Sequence, residues 1–381
     1  MSLNAIRMRC WWVLSVWGAL VWALLVCPAQ AAPATLRVLT WSGYADPDLV
    51  AVFEKRHGVR VEVTTVGSDD ILRAKFADAK APAYDVVAAN TVEIARFVEL
   101  QQLAPLPMAD IPNAARQLPR FRQLDAIAGI TRQGRVYALP YTYSEMGLIY
   151  DRQQLLEPPE SLAVLWDPRW QGRVLAYDGS SHAFSLAALH LEQSPFRIDP
   201  AQWGAVARDL VALRRNLLSL YNLPEESLDL FRRHGVAVMH ANYGQQQLKL
   251  FQDAGLDVGY VVPREGALAW LDCWAISSRS QQQSLAAQWI NYMLEPQVGR
   301  ELTRRQGLAN TLEEPQGLAG NAVKGLILWL EPVEDAAQRQ MLWQRIVSGD
   351  RPERFCRMRW TLVLRFGLLL AGFSIVAALL V

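Results

Sequence analysis

The chain has 381 residues, 51% of them hydrophobic, and a formal net charge of +1. That is enough apolar content for two domains with real cores, and the balanced charge points away from nucleic acid as a partner. Cys10, Cys27, Cys273 and Cys356 show no CxxC and no metal-ligand spacing, which argues against a disulfide framework or a metal site.

In chain order, residues 1–31 read as an export signal. Arg7 and Arg9 precede an apolar run from Trp11 to Val26, and Ala29-Gln30-Ala31 makes a small-residue cleavage site. The bulky Val26 before Cys27 argues against lipidation there. From Leu36 to Trp41 the pattern predicts a strand, from Asp46 to His57 an amphipathic helix, and from Val59 to Val66 a second strand. Asp69 to Ala79 follows as a helix, Tyr84 to Ala89 as a buried strand and Val92 to Leu100 as a helix. This succession is the signature of a parallel sheet with helices on its faces.

A proline-bounded stretch from Tyr137 to Asp151 reads as an extended crossing. Val174 to Tyr177 predicts a strand running into a helix start at Asp178-Gly179-Ser180-Ser181. Helices are expected at Ser185 to Glu192, Pro200 to Asn216, Glu225 to Arg233 and Gln245 to Ala254. Strands are expected at Val236 to His240, Val258 to Val262 and Trp270 to Ile276, with a closing helix from Gln281 to Leu294. Two α/β lobes account for this order, each a mostly parallel sheet with helices on both faces, joined by crossings near 140 and near 272. One lobe takes 36–141 and 272–312, the other 142–271, and 313–350 forms a C-terminal helical segment. Ligand is expected between the lobes, at the carboxyl ends of strands.

Residues 360–381 read as a transmembrane helix. Arg365 is the only charge there, and the run from Phe366 to Val381 is unbroken. Arg351, Arg354, Arg357 and Arg359 stand before it, on the side an exported chain keeps outside, against the positive-inside tendency.

The chemistry concentrates in Trp270-Leu271-Asp272-Cys273-Trp274 and Trp41-Ser42-Gly43-Tyr44. A carboxylate neutralises an ammonium, while Trp and Tyr faces hold a cation and cover methylenes. The combination suits a ligand with cationic ends and an oily middle, and so a binding protein. Cys273 as a nucleophile, with His182 or His240 as base, is the enzymatic reading. It fails because Cys273 follows Asp272 on a strand and points the other way, beside a carboxylate that raises its thiol pKa. No phosphate loop, zinc spacing or nucleophile elbow occurs, so no cofactor and no catalytic residue is expected.

The collinear set Leu39-Thr40-Trp41-Ser42-Gly43-Tyr44, Tyr84-Asp85-Val86-Val87, Ala138-Leu139-Pro140-Tyr141, Gly147-Leu148-Ile149-Tyr150, Val262-Pro263-Arg264-Glu265-Gly266 and Trp270-Leu271-Asp272 resembles the periplasmic spermidine/putrescine-binding proteins of ABC importers. The resemblance covers about Leu36 to Gly349. It implies a two-lobed type II periplasmic-binding fold closing on a polyamine or related amine, with an inner-membrane ABC permease as partner. It further implies that Trp41 and Tyr44 line the cleft, that Trp270 lies along the methylenes, and that Asp272 and Asp178 hold the two amines from opposite lobes. The chain departs from the family in four places. Ala88-Ala89-Asn90-Thr91 carries no ring, His240 stands where a Trp is usual, Gly179-Ser180-Ser181-His182 follows Asp178 where a further acid is usual, and Glu145 replaces a small residue and is expected to supply the missing acid. Tyr143 and Tyr243 are further candidate rings. The altered cleft and the C-terminal anchor also fit a membrane-anchored sensing domain of a receptor, the alternative function.

Overall fold

The computed structural model describes residues 33–314 and 326–349. The expected export signal and the expected membrane helix at 360–381 lie outside the described residues. Among the described residues, no helix is long and apolar enough to cross a membrane.

The first half follows the sequence pattern closely: β1 (Thr35–Trp41), α1 (Pro47–His57), β2 (Arg60–Val66), α2 (Asp69–Ala77), β3 (Val86–Asn90) and α3 (Thr91–Glu99). The helix ends explain themselves chemically. Pro47 opens α1, and Gly58, at φ 66°, ends it in a left-handed conformation that lets its N–H reach the Glu54 carbonyl. Ser68 caps α2 by accepting from the Ile71 N–H, and the Asn90 side chain caps α3 by accepting from Val92 and Glu93. Short pieces follow, β4 (Leu103–Ala104), α4 (Pro119–Arg122), β5 (Thr131–Arg132) and β6 (Arg135–Val136), before the long β7 (Ala138–Met146).

The second lobe is built from β8 (Leu148–Asp151), β9 (Val174–Tyr177), α5 (Ser180–His190), α6 (Trp203–Asn216), β10 (Leu217–Tyr221), α7 (Pro224–His234), β11 (Val238–His240), α8 (Gln245–Asp253) and β12 (Val258–Val261). The chain then returns through β13 (Ala267–Ser277), α9 (Gln283–Met293), α10 (Pro296–Gln306) and β14 (Ala309–Asn310), and ends in β15 (Ile327–Trp329) and α11 (Ala336–Val347).

The strands form two principal sheets, ordered β14-β7-β13-β3-β1-β2 and β10-β9-β11-β8-β12, with β4 and β15 also paired to β13. The expectation of mostly parallel sheets needs correction. Strands β2, β1 and β3 run parallel, as do β10, β9 and β11, but β7, β8 and β12 pair antiparallel to their neighbours, and β13 is antiparallel to β7, β3 and β4 and parallel to β15. The reason is topological: the chain leaves the first sheet along β7 and comes back along β13, so these two must oppose each other.

The crossings also shift. The first falls at Gly147, between β7 and β8. The second, expected near 272, falls at 262–266, because β13 lies wholly in the first sheet and is buried along all eleven residues. A continuous buried strand shows no alternation to mark where it begins. Trp270 and Asp272 therefore belong to the first sheet. A third passage follows, since β15 pairs with β13 while α11 packs on α5 and α6. The expected C-terminal helical segment thus contributes a strand to one lobe and a helix to the other.

Arg339 fastens α11 to the second lobe. It is fully buried, and its guanidinium donates to Glu334 Oε1 and Oε2 at 3.1 and 2.7 Å, to the Ser181 and Pro195 carbonyls, each at 3.0 Å, and to Ser185 Oγ at 2.9 Å. Glu334 lies at the surface, so removing Arg339 strands the Ser181 and Pro195 carbonyls rather than a buried charge, and an unpaired buried acceptor costs about 1–3 kcal/mol. Arg339→Met is expected to lower the unfolding free energy by about 2 kcal/mol or more in urea titration; a loss under about 1 kcal/mol would show that α11 is held by apolar packing alone.

Candidate functional site

Strand ends of both sheets supply the site. Trp41 and Asn90 are the last residues of β1 and β3, and Asp272 on β13 sits opposite Asn90 in the strand register. From the second lobe come Tyr177, the last residue of β9, His182 in the first turn of α5, and Asn242 and Tyr243 just after β11. With Tyr44, Asp69 and Trp270 these line a narrow slot of about 340 Å³ with its open mouth counted.

Asp272 is the chemical centre. Its carboxyl is 5% exposed, and Oδ2 accepts the Tyr44 hydroxyl at 2.7 Å. Burial, reinforced by the nearby charge of Asp69, pushes its pKa up to about 8, against the opposing effect of the Tyr44 bond. The Tyr44 hydroxyl is in turn held well above its ordinary range by burial and by Asp272. Trp270 is pinned across the lobes, its indole donating to the Asn242 carbonyl at 3.0 Å. The Trp41 indole N–H is buried with no hydrogen-bond partner among the described residues.

A second carboxylate enters from α2. Asp69 Oδ1 accepts from Asn90 Nδ2 at 3.0 Å, and Oδ2 lies 3.6 Å from His182 Nε2, whose Nδ1 is 2.9 Å from Asn242 Oδ1. The lobes are closed on one another here. Tyr177 donates its hydroxyl to the Gly67 carbonyl at 2.7 Å, and Ser180 Oγ donates to Asp70 at 3.3 Å. Gly67 permits the approach, since a Cβ there would stand 3.0 Å from Asn222 Cβ.

Of the residues expected from sequence, Trp41, Tyr44, Trp270 and Asp272 come together in the slot, as does Tyr243. Asp178 does not. Tyr177 faces the slot, so the next side chain along the extended backbone faces away. The Asp178 carboxylate instead accepts the Trp343 indole at 2.7 Å; it does not cap α5 either, whose N-cap is Gly179. Glu145 is likewise turned aside and accepts from Gln245 Nε2 at 2.6 Å, its pKa raised by burial. Tyr143 packs on Phe121 and Trp329 and takes a bond from Arg120 at 3.1 Å. His240 lies one layer behind Tyr177 and His182, where burial, and secondarily His182, push its pKa down to about 3. Cys273 is buried and its thiol pKa raised by burial and by Asp272, the reverse of a nucleophile's setting.

Sequence reasoning missed Asp69, Asn90, Tyr177 and Asn242 as site residues and weighed His182 only as a base. Asn90 and Tyr177 did carry a signal, as final residues of parallel strands, where such sheets bind.

The fold is that of the two-lobed α/β periplasmic binding proteins. A putative spermidine/putrescine ABC transporter from Listeria monocytogenes aligns with TM-score 0.70 and 20% identity over 82% of this chain and 98% of that one. The Tp0655 (TpPotD) lipoprotein of Treponema pallidum aligns with TM-score 0.69 and 16% identity over 82% and 99%. Residues 48–316 match the bacterial extracellular solute-binding protein family, and the chain belongs to it. Its relatives include the Haemophilus influenzae spermidine/putrescine-binding periplasmic protein 1, 27% identical over 72% of this chain and 74% of that protein. The Escherichia coli putrescine-binding periplasmic protein PotF is 25% identical over 77% and 82%. The protein therefore captures solutes and is not an enzyme.

The Asp272 shift has a consequence for stability. A carboxyl whose folded pKa is raised keeps its contribution below the unfolded value near 4 and loses it as pH rises through about 8. Asp272→Asn, which still accepts from Tyr44, is expected to match the ligand-free wild type in melting temperature near pH 4 and to exceed it by several degrees at pH 9. An equal difference at both pH values would show that Asp272 is not a buried acid.

Proposed function

We propose that this chain binds a linear polyamine of the putrescine–spermidine class in the slot and hands it to an inner-membrane ABC importer from the periplasm. The observation that carries the reading is the buried Asp272 carboxyl walled by Trp41, Tyr44 and Trp270. Desolvated and lacking a fixed cationic partner among the described residues, it is stabilised as a carboxylate only when a cation arrives. The relatives named above for spermidine and putrescine support the same ligand class and the same transport role.

In this reading the ligand's ammonium meets Asp272 while the Tyr44 hydroxyl holds the carboxylate in place. The Trp270 face covers the methylenes, and Trp41 closes the first-lobe side. Asp69 supplies the second acid expected of Asp178 and Glu145. Residues 1–31 direct export, and 360–381 hold the binding protein at the membrane. The lobes, about 36–146 with 267–312 and about 147–262, close over the ligand because each contributes half of the slot.

Thermal-shift measurements with putrescine, cadaverine, spermidine, spermine, amino acids and sugars are expected to single out amines. Ligand at a hundred times Kd adds about 2.7 kcal/mol of stability. Asp272→Ala is expected to weaken amine binding at least about 30-fold, the cost of stranding a buried charge. Binding should also release close to one proton at pH 7, and affinity should rise about 50-fold from pH 6 to pH 8 as Asp272 ionises. A flat pH profile, or stabilisation only by amino acids or sugars, would overturn the reading.

A further inference from the structure

The second lobe has a pole opposite the slot. Strands β9, β10 and β11 run parallel and end on the slot side, so their starts lie together at the other end of the sheet. Backbone bonds knit that end together. The Asp151 N–H donates to the Ala237 carbonyl at 2.9 Å, the Ala237 N–H to Arg173 at 2.8 Å and the Gly172 N–H to Asn216 at 2.9 Å.

Arg173 before β9, Arg214 and Arg215 before β10, and Arg232 before β11 stand exposed at this pole, and among the described residues no carboxylate pairs with them. The acids nearby are engaged elsewhere: Asp167 by Arg169, Asp229 by Arg233 and Asp257 by Arg152. Helix dipoles favour cations in the last turns of α6 and α7, which accounts for Arg214, Arg215 and Arg232. Arg173 lies on no helix. Trp170 is half-buried in the adjoining loop, and Leu156, just past the turn that leaves β8, is 85% exposed. Guanidiniums beside an indole and a bare leucine suit a phospholipid surface, where phosphates take the cations and the headgroup boundary takes the apolar groups.

The path of the chain points the same way. Helix α11 ends at this pole, where Arg214 Nε donates to the Val347 carbonyl at 3.2 Å and a Cβ on Gly349 would stand 3.4 Å from the same guanidinium. The sequence beyond carries Arg351, Arg354, Arg357 and Arg359 ahead of the apolar run to Val381.

We propose that the arginine pole of the second lobe rests on an anionic phospholipid surface, with the cleft turned away from the bilayer. The second lobe, to which α11 fastens the tether, is then the fixed one, and the first lobe, which carries Asp272, moves on closure. The proposal goes beyond the amine reading and rests on the assignment of 360–381 to the membrane.

The test is arginine footprinting with phenylglyoxal, read by mass spectrometry, on the full chain in nanodiscs of phosphatidylcholine alone or mixed with phosphatidylglycerol. Arg173, Arg215 and Arg232 are expected to react at least about threefold more slowly in the anionic discs, and to lose that protection at roughly 1 M salt, where charges are screened. Arg116, Arg122 and Arg135, exposed on the first lobe, are expected to react equally in both lipids. Equal rates at the pole in both lipids would overturn the proposal, and so would protection of both lobes alike. A chain that enters no disc removes the membrane assignment of 360–381, and the same footprint against anionic vesicles then decides the pole by itself. Amine binding, read separately by calorimetry with putrescine, bears on none of these outcomes.

Discussion

Everything in the site follows from keeping one carboxyl group out of water. Asp272 sits on a strand buried along its whole length, between aromatic walls, and accepts the Tyr44 hydroxyl at 2.7 Å. An isolated carboxylate in such surroundings is several kcal/mol less stable than in solvent. Burial therefore favours the protonated form of the group. In the proposed reading, affinity for cations comes from this cost of desolvation rather than from an exposed acidic surface.

The second lobe completes what the first begins. Trp270 reaches across to the Asn242 carbonyl, Tyr177 reaches back to the Gly67 carbonyl, and His182 bridges Asn242 and Asp69. The Trp270–Asn242, Tyr177–Gly67 and His182–Asp69 contacts span the gap, so the slot exists in this form only when the lobes are together. Arg339 and Trp343 on α11 extend the same dependence outward, because α11 locks α5, and α5 carries His182. Binding and closure therefore draw on the same contacts.

The charge arrangement differs from a slot with one acid at each end. Asp272 and Asp69 both come from the first lobe, and the second lobe answers with neutral or weakly basic groups: Tyr177, Tyr243, Asn242 and His182. Acidity on one side and hydrogen-bonding rings on the other set a direction for the ligand. They also place Asp69 where it faces both the slot and a neighbouring cavity.

The sequence by itself determined the local elements and the class. The alternation from Leu36 to Leu100 named β1 to α3 within a few residues, because propensity, capping and periodicity act over single turns. It also picked out Trp41, Tyr44, Trp270 and Asp272, since an acid set among rings has no good packing explanation. What it did not determine was direction and register. Whether Asp178 or Tyr177 faces the ligand depends on a half-turn of the β9 backbone, and hydrophobic pattern is silent where both faces of a strand are buried. The start of β13, and with it the lobe to which Trp270 belongs, was hidden for the same reason. Asp69 looked like an ordinary first-turn helix acid; the packing of the first lobe brought it within electrostatic reach of Asp272, and the meeting of the lobes brought it beside His182. Long-range meetings of this kind are decided by the tertiary structure, because no local rule links residues two hundred positions apart.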